Sequence, residues 1–476
     1  MRRSWRSEKT SRGGALRRRV AWPAAIAAAV VAAGATLFTG AAPQARAAVA
    51  DNPGALKPLT ASSELAKLTL TENTVSPDSI AELDSRLPNV GVDTVLKSAN
   101  HPMTRTSSGC RASEKAALPI SPQAASAYCF DTGDALTQQW LPQSVTSSGD
   151  ADDDGLWGTN KVILSGWTHN DHLNDEFPSE PDEDKALARL AFIDANDPGD
   201  LKYRWVLLAV PTEGGTNFAK MGSHLGGMVW YGDKLIVTAS NGDSRNNALF
   251  VFSMKHILQA TKNDHAIGKV DGGYSAHGYQ YVMPAIGSYS LSGKCSSEND
   301  DAIPCFASLS LDRSSTPHRI VANEWFSSGG TQPARLFRYD LAPVTNDMPL
   351  AVNSARKATA ADAYETKAVG VQGTLSYQNT WYVPSARGGP GQHGIMWRQD
   401  TGGAASTSCT GTSPAIACWA KHSESMSLWW PTKTVWSVTE WAADANGKWQ
   451  DPASSGWEDR VVPERVLFSV PLSSLG

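Results

Sequence analysis

The stretch Met221–Ser240, "MGSHLGGMVWYGDKLIVTAS", joins a histidine and two glycines to two apolar alternations split by a Gly-Asp turn. Alternation with period two reads as β-strand, and a short Gly-containing break between two such runs reads as a hairpin. His224 is then either a working residue at a strand tip or part of the punctuation. Which of the two holds depends on whether the stretch recurs.

It recurs. From Trp140 onward each unit has a first strand opening on a small or polar cluster, a strongly apolar second strand, and a charged third strand. The first strands are "LPQSVTSS" at 141, "SHLGGMVW" at 223, "CFASLSLD" at 305, "VQGTLSYQ" at 371 and "SESMSLWW" at 423. The second and third follow as "KVILSGW" and "ARLAFID", "KLIVTAS" and "ALFVFSM", "HRIVANEW" and "ARLFRYDL", "TWYVPSA" and "GIMWRQD", "TVWSVTEW" and "RVLFSVPL". Units of several strands recurring at spacings of about 50 to 85 residues are the signature of a β-propeller, each unit being one blade. Segments such as "YRWVLLAVP" at 203 and "YQYVMPAIG" at 279 are available as fourth strands. The expectation is an all-β chain, a β-propeller of about five blades, with six or seven left open by the uneven spacing. The competing reading is a pair of β-sandwiches with accidental similarity.

In a propeller the first strand of each blade lines the central channel, so equivalent entry positions converge at one mouth. Those positions are Gln143, His224, a point near Phe306, Gln372 and Glu424. A polar ring at a channel mouth is where this architecture binds ligands. Gly226 and Gly227 fit the crowding of inner strands near the axis. His224 is therefore both punctuation and a site residue in this expectation.

The chain has 476 residues and a formal charge of −5, spread without a basic stripe outside the N-terminus. That balance argues against a nucleic-acid binder. Met1–Arg19 carries eight cationic side chains, an alanine-rich apolar run follows, and "PQARAAVAD" offers small residues around Ala45-Arg46-Ala47. This is the plan of a secretory signal. An uncleaved anchor is the alternative, and the choice between general and twin-arginine export stays open. The expected organisation is 1–47 signal peptide, 48–130 extension, 131–476 propeller, with the mature protein extracellular and no membrane contact after cleavage. In the extension one short helix is expected, with Ser76 as cap, Pro77 in its first turn and Pro88 beyond its end. The rest wraps the main domain or trails from it. Six cysteines in an exported chain suggest disulfides. Their grouping favours Cys110–Cys129, Cys295–Cys305 and Cys409–Cys418 as staples of surface excursions.

Two acidic stretches raise the question of a metal. Asp150, Asp152 and Asp154 before Gly155 stand in D-x-D-x-D-G spacing, which can wrap calcium. Lys161 stands where an EF-hand loop needs its bidentate glutamate, so a solvated acidic hairpin is the competing reading. His169, Asp171, His172, Asp175 and Glu176 offer a second, weaker grouping in a polar loop. No nucleophile elbow, H-E-x-x-H, P-loop or dinucleotide fingerprint is present. Of the 17 tryptophans, most should fill the gaps between blades, while some of the late ones (Trp429-Trp430, Trp441, Trp449, Trp457) can stack on sugar rings.

The repeat strands, together with "GGYSAHGYQYVMPAIGSY" and "SLWWPTKTVWSVTE", resemble a family of secreted propeller-like proteins of actinomycetes over residues 140 to 470. The resemblance implies fold and export and no particular activity. A similarity of plan, without shared motifs, links the chain to propeller polysaccharide lyases, which place His and Tyr around the channel mouth. Two functions follow as expectations. One is a carbohydrate-active enzyme, lyase-like and acting on an acidic polysaccharide. In it His224 is the base, Tyr279 or Tyr281 the acid, and an arginine or cation neutralises the uronate carboxylate. Gln143, Gln372 and Glu424 would hold the ligand. The other is a non-catalytic extracellular propeller that binds a glycan or a protein. Oligomeric state is left open.

Overall fold

The computed structural model describes residues 52–476 except 171–172, 174–176, 178–183, 240–246, 297–301, 327–331, 388–390, 408 and 410–415. The segment expected to be a signal peptide and most of the second acidic stretch lie outside these residues.

Each repeat unit is one antiparallel four-stranded sheet. Blade 1 runs Trp140–Ser147, Val162–His169, Ala188–Asp194 and Lys202–Thr212 from the axis outward. Blade 2 is Met228–Tyr231, Lys234–Thr238, Asn247–Ser253 and Tyr281–Ser290. Blade 3 is Ser308–Asp312, Arg319–Asn323, Ala334–Asp340 and Asp362–Thr366. Blade 4 is Leu375–Tyr377, Thr380–Ser385, His393–Asp400 and Gly403–Ser406. Blade 5 is Ser423–Trp429, Thr434–Thr439, Val466–Pro471 and Ser126–Cys129. The inner strands contact one another in the order 1-2-3-4-5-1, so the ring closes at five blades. The fourth strands of blades 1 and 2 come from the two linking segments named above.

The serine- and threonine-rich inner strands have a physical reason. Where blades meet at the axis, no ladder joins them, and short hydroxyl side chains make the bonds instead. Ser144 Oγ donates to the Leu225 carbonyl at 2.6 Å, Ser425 Oγ accepts from the Val145 amide at 3.0 Å, and Ser310 Oγ donates to the Thr374 carbonyl at 2.6 Å. Farther out, apolar wedges fill the gaps: Trp230 with Leu190 and Val206 between blades 1 and 2, Trp167 and Trp205 with Leu467 between blades 1 and 5, Trp381 and Trp397 with Val321 between blades 3 and 4. Large aromatics suit a gap that widens with radius.

The segment before the propeller is a belt that visits every blade. Asn52 and Leu56 bond to Ala404 and Asp400 of blade 4, and Lys57–Pro58 pairs with the outer strand of blade 3. Leu70–Thr74 then pairs with the outer strand of blade 2, His101–Pro102 with that of blade 1, and Thr104–Arg105 with Ser126–Cys129 in blade 5. The expected helix is present as Pro77–Arg86, and four further short helices share the belt and its approach to blade 1: Ser62–Lys67, Gly91–Lys97, Ala112–Ala117 and Thr132–Leu136. The belt covers sheet edges that would otherwise offer unpaired backbone groups.

All three disulfides pair as the spacing suggests. Two depart from the surface-staple expectation. Cys110 and Cys129 are buried in the main apolar core, and Cys129 lies on the strand that closes the ring. Cys409 and Cys418 are buried as well.

Candidate functional site

Every inner strand enters from the same end of the axis, and every second strand leaves there. Side chains at these two kinds of position converge on a cavity of about 540 Å³. Gln143, His224, Phe306, Gln372 and Glu424 come from inner-strand entries. Thr168, His169 and Asn170 of blade 1, Trp325 of blade 3, and Glu440 and Trp441 of blade 5 come from second-strand exits. Trp449 completes one wall.

Blade 5 supplies the acidic side. Pairing of Ser423 with Thr439 brings positions 424 and 440 to the same end of the sheet, and the Glu440 amide bonds to the His422 carbonyl. Glu424 is 3% exposed, and its Oε1 has no hydrogen-bond partner. Burial first, and then the negative charge of Glu440, hold its carboxyl well above the usual carboxylate range. The uncharged form is the one this environment favours. Glu440 accepts a hydrogen bond from Gln143 Nε2 at 2.7 Å.

The same blade supplies the aromatic wall. Trp441 stacks on His422 at 4.4 Å between ring centroids and 15° between planes, and Trp449 leans on Trp441 at 5.3 Å. Burial, reinforced by the Lys421 charge, pulls His422 down to about 4. It is a neutral ring at ordinary pH and serves as backing for the tryptophan. Trp325 stands opposite, 39% exposed.

Gln143, His224, Gln372 and Glu424 therefore line one cavity, with Phe306 beside them. Tyr279 and Tyr281 do not. They lie at the start of the outer strand of blade 2, which is remote from the axis. The Tyr281 hydroxyl donates at 3.0 Å to Ser98 Oγ, which caps the C-terminus of the belt helix Gly91–Lys97. The Tyr279 hydroxyl accepts from Arg189 at 3.0 Å, behind Trp140. No arginine or lysine is among the described residues that line the cavity. The lyase pairing of His224 with a tyrosine acid and a cation is thus not assembled.

The calcium expectation is also corrected. Asp150 is fully buried at the inner end of blade 1, where Thr146 and Ser427 hydroxyls donate to its Oδ2 at 2.8 and 2.7 Å. Asp152 and Asp154 are exposed, and each caps nearby backbone, the Asp153 and Leu156 amides. The helical turn Ser148–Ala151 turns the first carboxylate inward and leaves the others in solvent. In the second acidic stretch only His169 is among the described residues. A grouping that sequence reasoning missed is His101, Asp131 and Asp134, whose ligand atoms lie within 4.8 Å of one another. Asp134 already has its cation: Arg189 at 3.0 Å, with Tyr203 donating at 2.6 Å.

Trp441 and Trp449 were among the tryptophans expected to stack on sugar, whereas Glu440 and Trp325 were missed. Their signal was the recurring strand ending "NEW" at 323 and "TEW" at 439, a polar-aromatic exit that only makes sense once second strands are known to leave at the mouth.

These features define the class: a closed five-bladed propeller with a carboxyl-bearing, tryptophan-walled cavity at one end of its axis. No protein-family model matches the chain, and no curated protein matches it.

Proposed function

We propose that this is a secreted carbohydrate-active propeller whose mouth cavity holds a saccharide. The observation that carries the reading is the cavity wall itself. Trp441 and Trp449, inclined at 43° to one another, give an aromatic wall for the C–H side of a sugar ring, while Gln143, Gln372, His224 and the two glutamates surround it with groups for hydroxyls. Ligand sites of this size combine apolar planes with a few placed polar groups. Three disulfides suit an oxidising compartment, and the N-terminal segment reads as an export signal. A non-catalytic glycan-binding role is the second reading, favoured by the exposure of Trp325 at the rim.

Titration of purified protein with a panel of neutral and acidic oligosaccharides, followed by tryptophan fluorescence, tests this. A saturable change with at least one saccharide, lost in Trp441→Ala, is expected. No response across the panel overturns the reading. Assays for reducing ends and for unsaturated uronate absorbance on the same panel separate an enzyme from a binder.

A further inference from the structure

We propose that Glu424 and Glu440 are the acid and the base of a glycoside hydrolase acting on neutral sugars. The proposal rests on the cavity being a saccharide site.

Its geometry is a pair of carboxyl groups on one wall of one cavity, placed in opposite environments. Glu424 sits deep on the inner strand with an unbonded, buried oxygen. Glu440 sits at the strand exit, where the Gln143 amide reaches it. Two carboxyl groups in unlike environments are how one site holds an acid and a base at the same pH. Burial of Glu424 beside Glu440 favours its protonated form, and Glu440 accepts a hydrogen bond from Gln143. Paired carboxyl groups flanking a sugar are the working parts of glycosidic hydrolysis. Trp441 and Trp449 supply the aromatic wall against which the ring packs.

The step balances with water as the second reactant. Glu424 gives its proton to the glycosidic oxygen as the bond from the anomeric carbon to that oxygen breaks, releasing an alcohol. A water oxygen forms the new bond to the anomeric carbon, and Glu440 takes the water's proton. The products are a free sugar and the leaving alcohol. Exchange with solvent returns the proton to Glu424 and removes it from Glu440. The substrate is neutral because the described lining offers no arginine or lysine to pair with a uronate carboxylate and places a second acidic group, Glu440, beside Glu424.

The test uses the full mature chain with 4-nitrophenyl glycosides of neutral sugars and neutral polysaccharides, reading released nitrophenol and reducing ends. Saccharide binding is followed in parallel by tryptophan fluorescence. Glu424→Gln and Glu440→Gln should each lower turnover by about 100-fold or more. Wild-type protein that binds a neutral saccharide and cleaves none overturns this proposal and leaves the binding reading standing. Wild-type protein that binds no saccharide overturns the functional reading itself. Turnover within about threefold of wild type in either variant also overturns the acid–base assignment. If a variant does not fold, the wild-type pH profile decides: kcat/KM should fall on both the acid and the alkaline side, and a profile flat across that range overturns the pair.

Discussion

Gln143, on the inner strand of blade 1, donates its side-chain amide to Glu440 of blade 5 across 2.7 Å. The bond spans the seam where the first and last blades meet, and it fixes one acidic group of the cavity. Gln143→Leu keeps the bulk and removes the donor. Hydrogen bonds to charged groups contribute on the order of 2 kcal/mol, so saccharide affinity should fall by about tenfold or more. A fluorescence titration checks it, and unchanged affinity would mean that Glu440 is not held by this contact.

Asp150 makes stability depend on pH. Burial raises its carboxyl from 3.8 to about 7, against the opposing hydrogen bonds of Ser427 and Thr146 and the charge of Arg313. The folded state therefore binds a proton more tightly than the unfolded chain does. Its stabilising contribution is complete below the ordinary carboxylate value and is lost as pH rises through about 7. The change across that window is on the order of 4 kcal/mol. Asp150→Asn should flatten this part of the profile. Urea unfolding of both proteins between pH 4 and pH 8 measures it (~1.4 kcal/mol per pH unit at full slope), and parallel curves would refute the assignment.

The belt predicts an unequal effect of the disulfides. Cys110–Cys129 closes a separation of 19 residues and ties the ring-closing strand into the core, whereas Cys295–Cys305 closes 10. Replacing Cys110 and Cys129 by serine should cost about 2–5 kcal/mol, more than replacing Cys295 and Cys305. Melting temperatures of the two double variants decide between this and an equal loss.

The fold was legible because a propeller writes the same hydrophobic pattern once per blade. Fifteen of the blade strands, three per blade, matched segments quoted from the repeat. The belt was not legible, because two-residue pairings such as Lys57–Pro58 with Tyr364 and Glu365 leave no periodicity. The entry positions of the cavity could be aligned, since Gln143, His224, Gln372 and Glu424 share a register. Glu440 could not be weighed in the same way. Its counterpart Glu324 occupies the same place in the repeat and bonds to Arg335 at 2.7 Å instead, so position alone does not say which glutamate faces the mouth. Tyr279 and Tyr281 were misplaced because an outer strand carries the same alternation as an inner one, and only its radius differs.

The stretch that decides the fold also separates structure from function within four residues. The His224 side chain is exposed at the cavity, while Gly226 and Gly227 are buried where blade 2 meets blade 3. A Cβ on Gly226 would stand 2.1 Å from the Ala307 carbonyl oxygen, and one on Gly227 would stand 2.0 Å from the Leu309 amide nitrogen. Both obstacles are backbone of the neighbouring inner strand, which can yield only by spreading the ring. Gly227→Ala should therefore destabilise by about 3 kcal/mol or more, as overpacking against rigid backbone does. His224→Ala removes an exposed side chain and should stay within about 0.5 kcal/mol of wild type, while saccharide binding weakens. The two variants should thus separate cleanly in a thermal melt and a binding titration. If His224→Ala lowers the melting temperature as much as Gly227→Ala and leaves binding intact, the histidine belongs to the punctuation and not to the site.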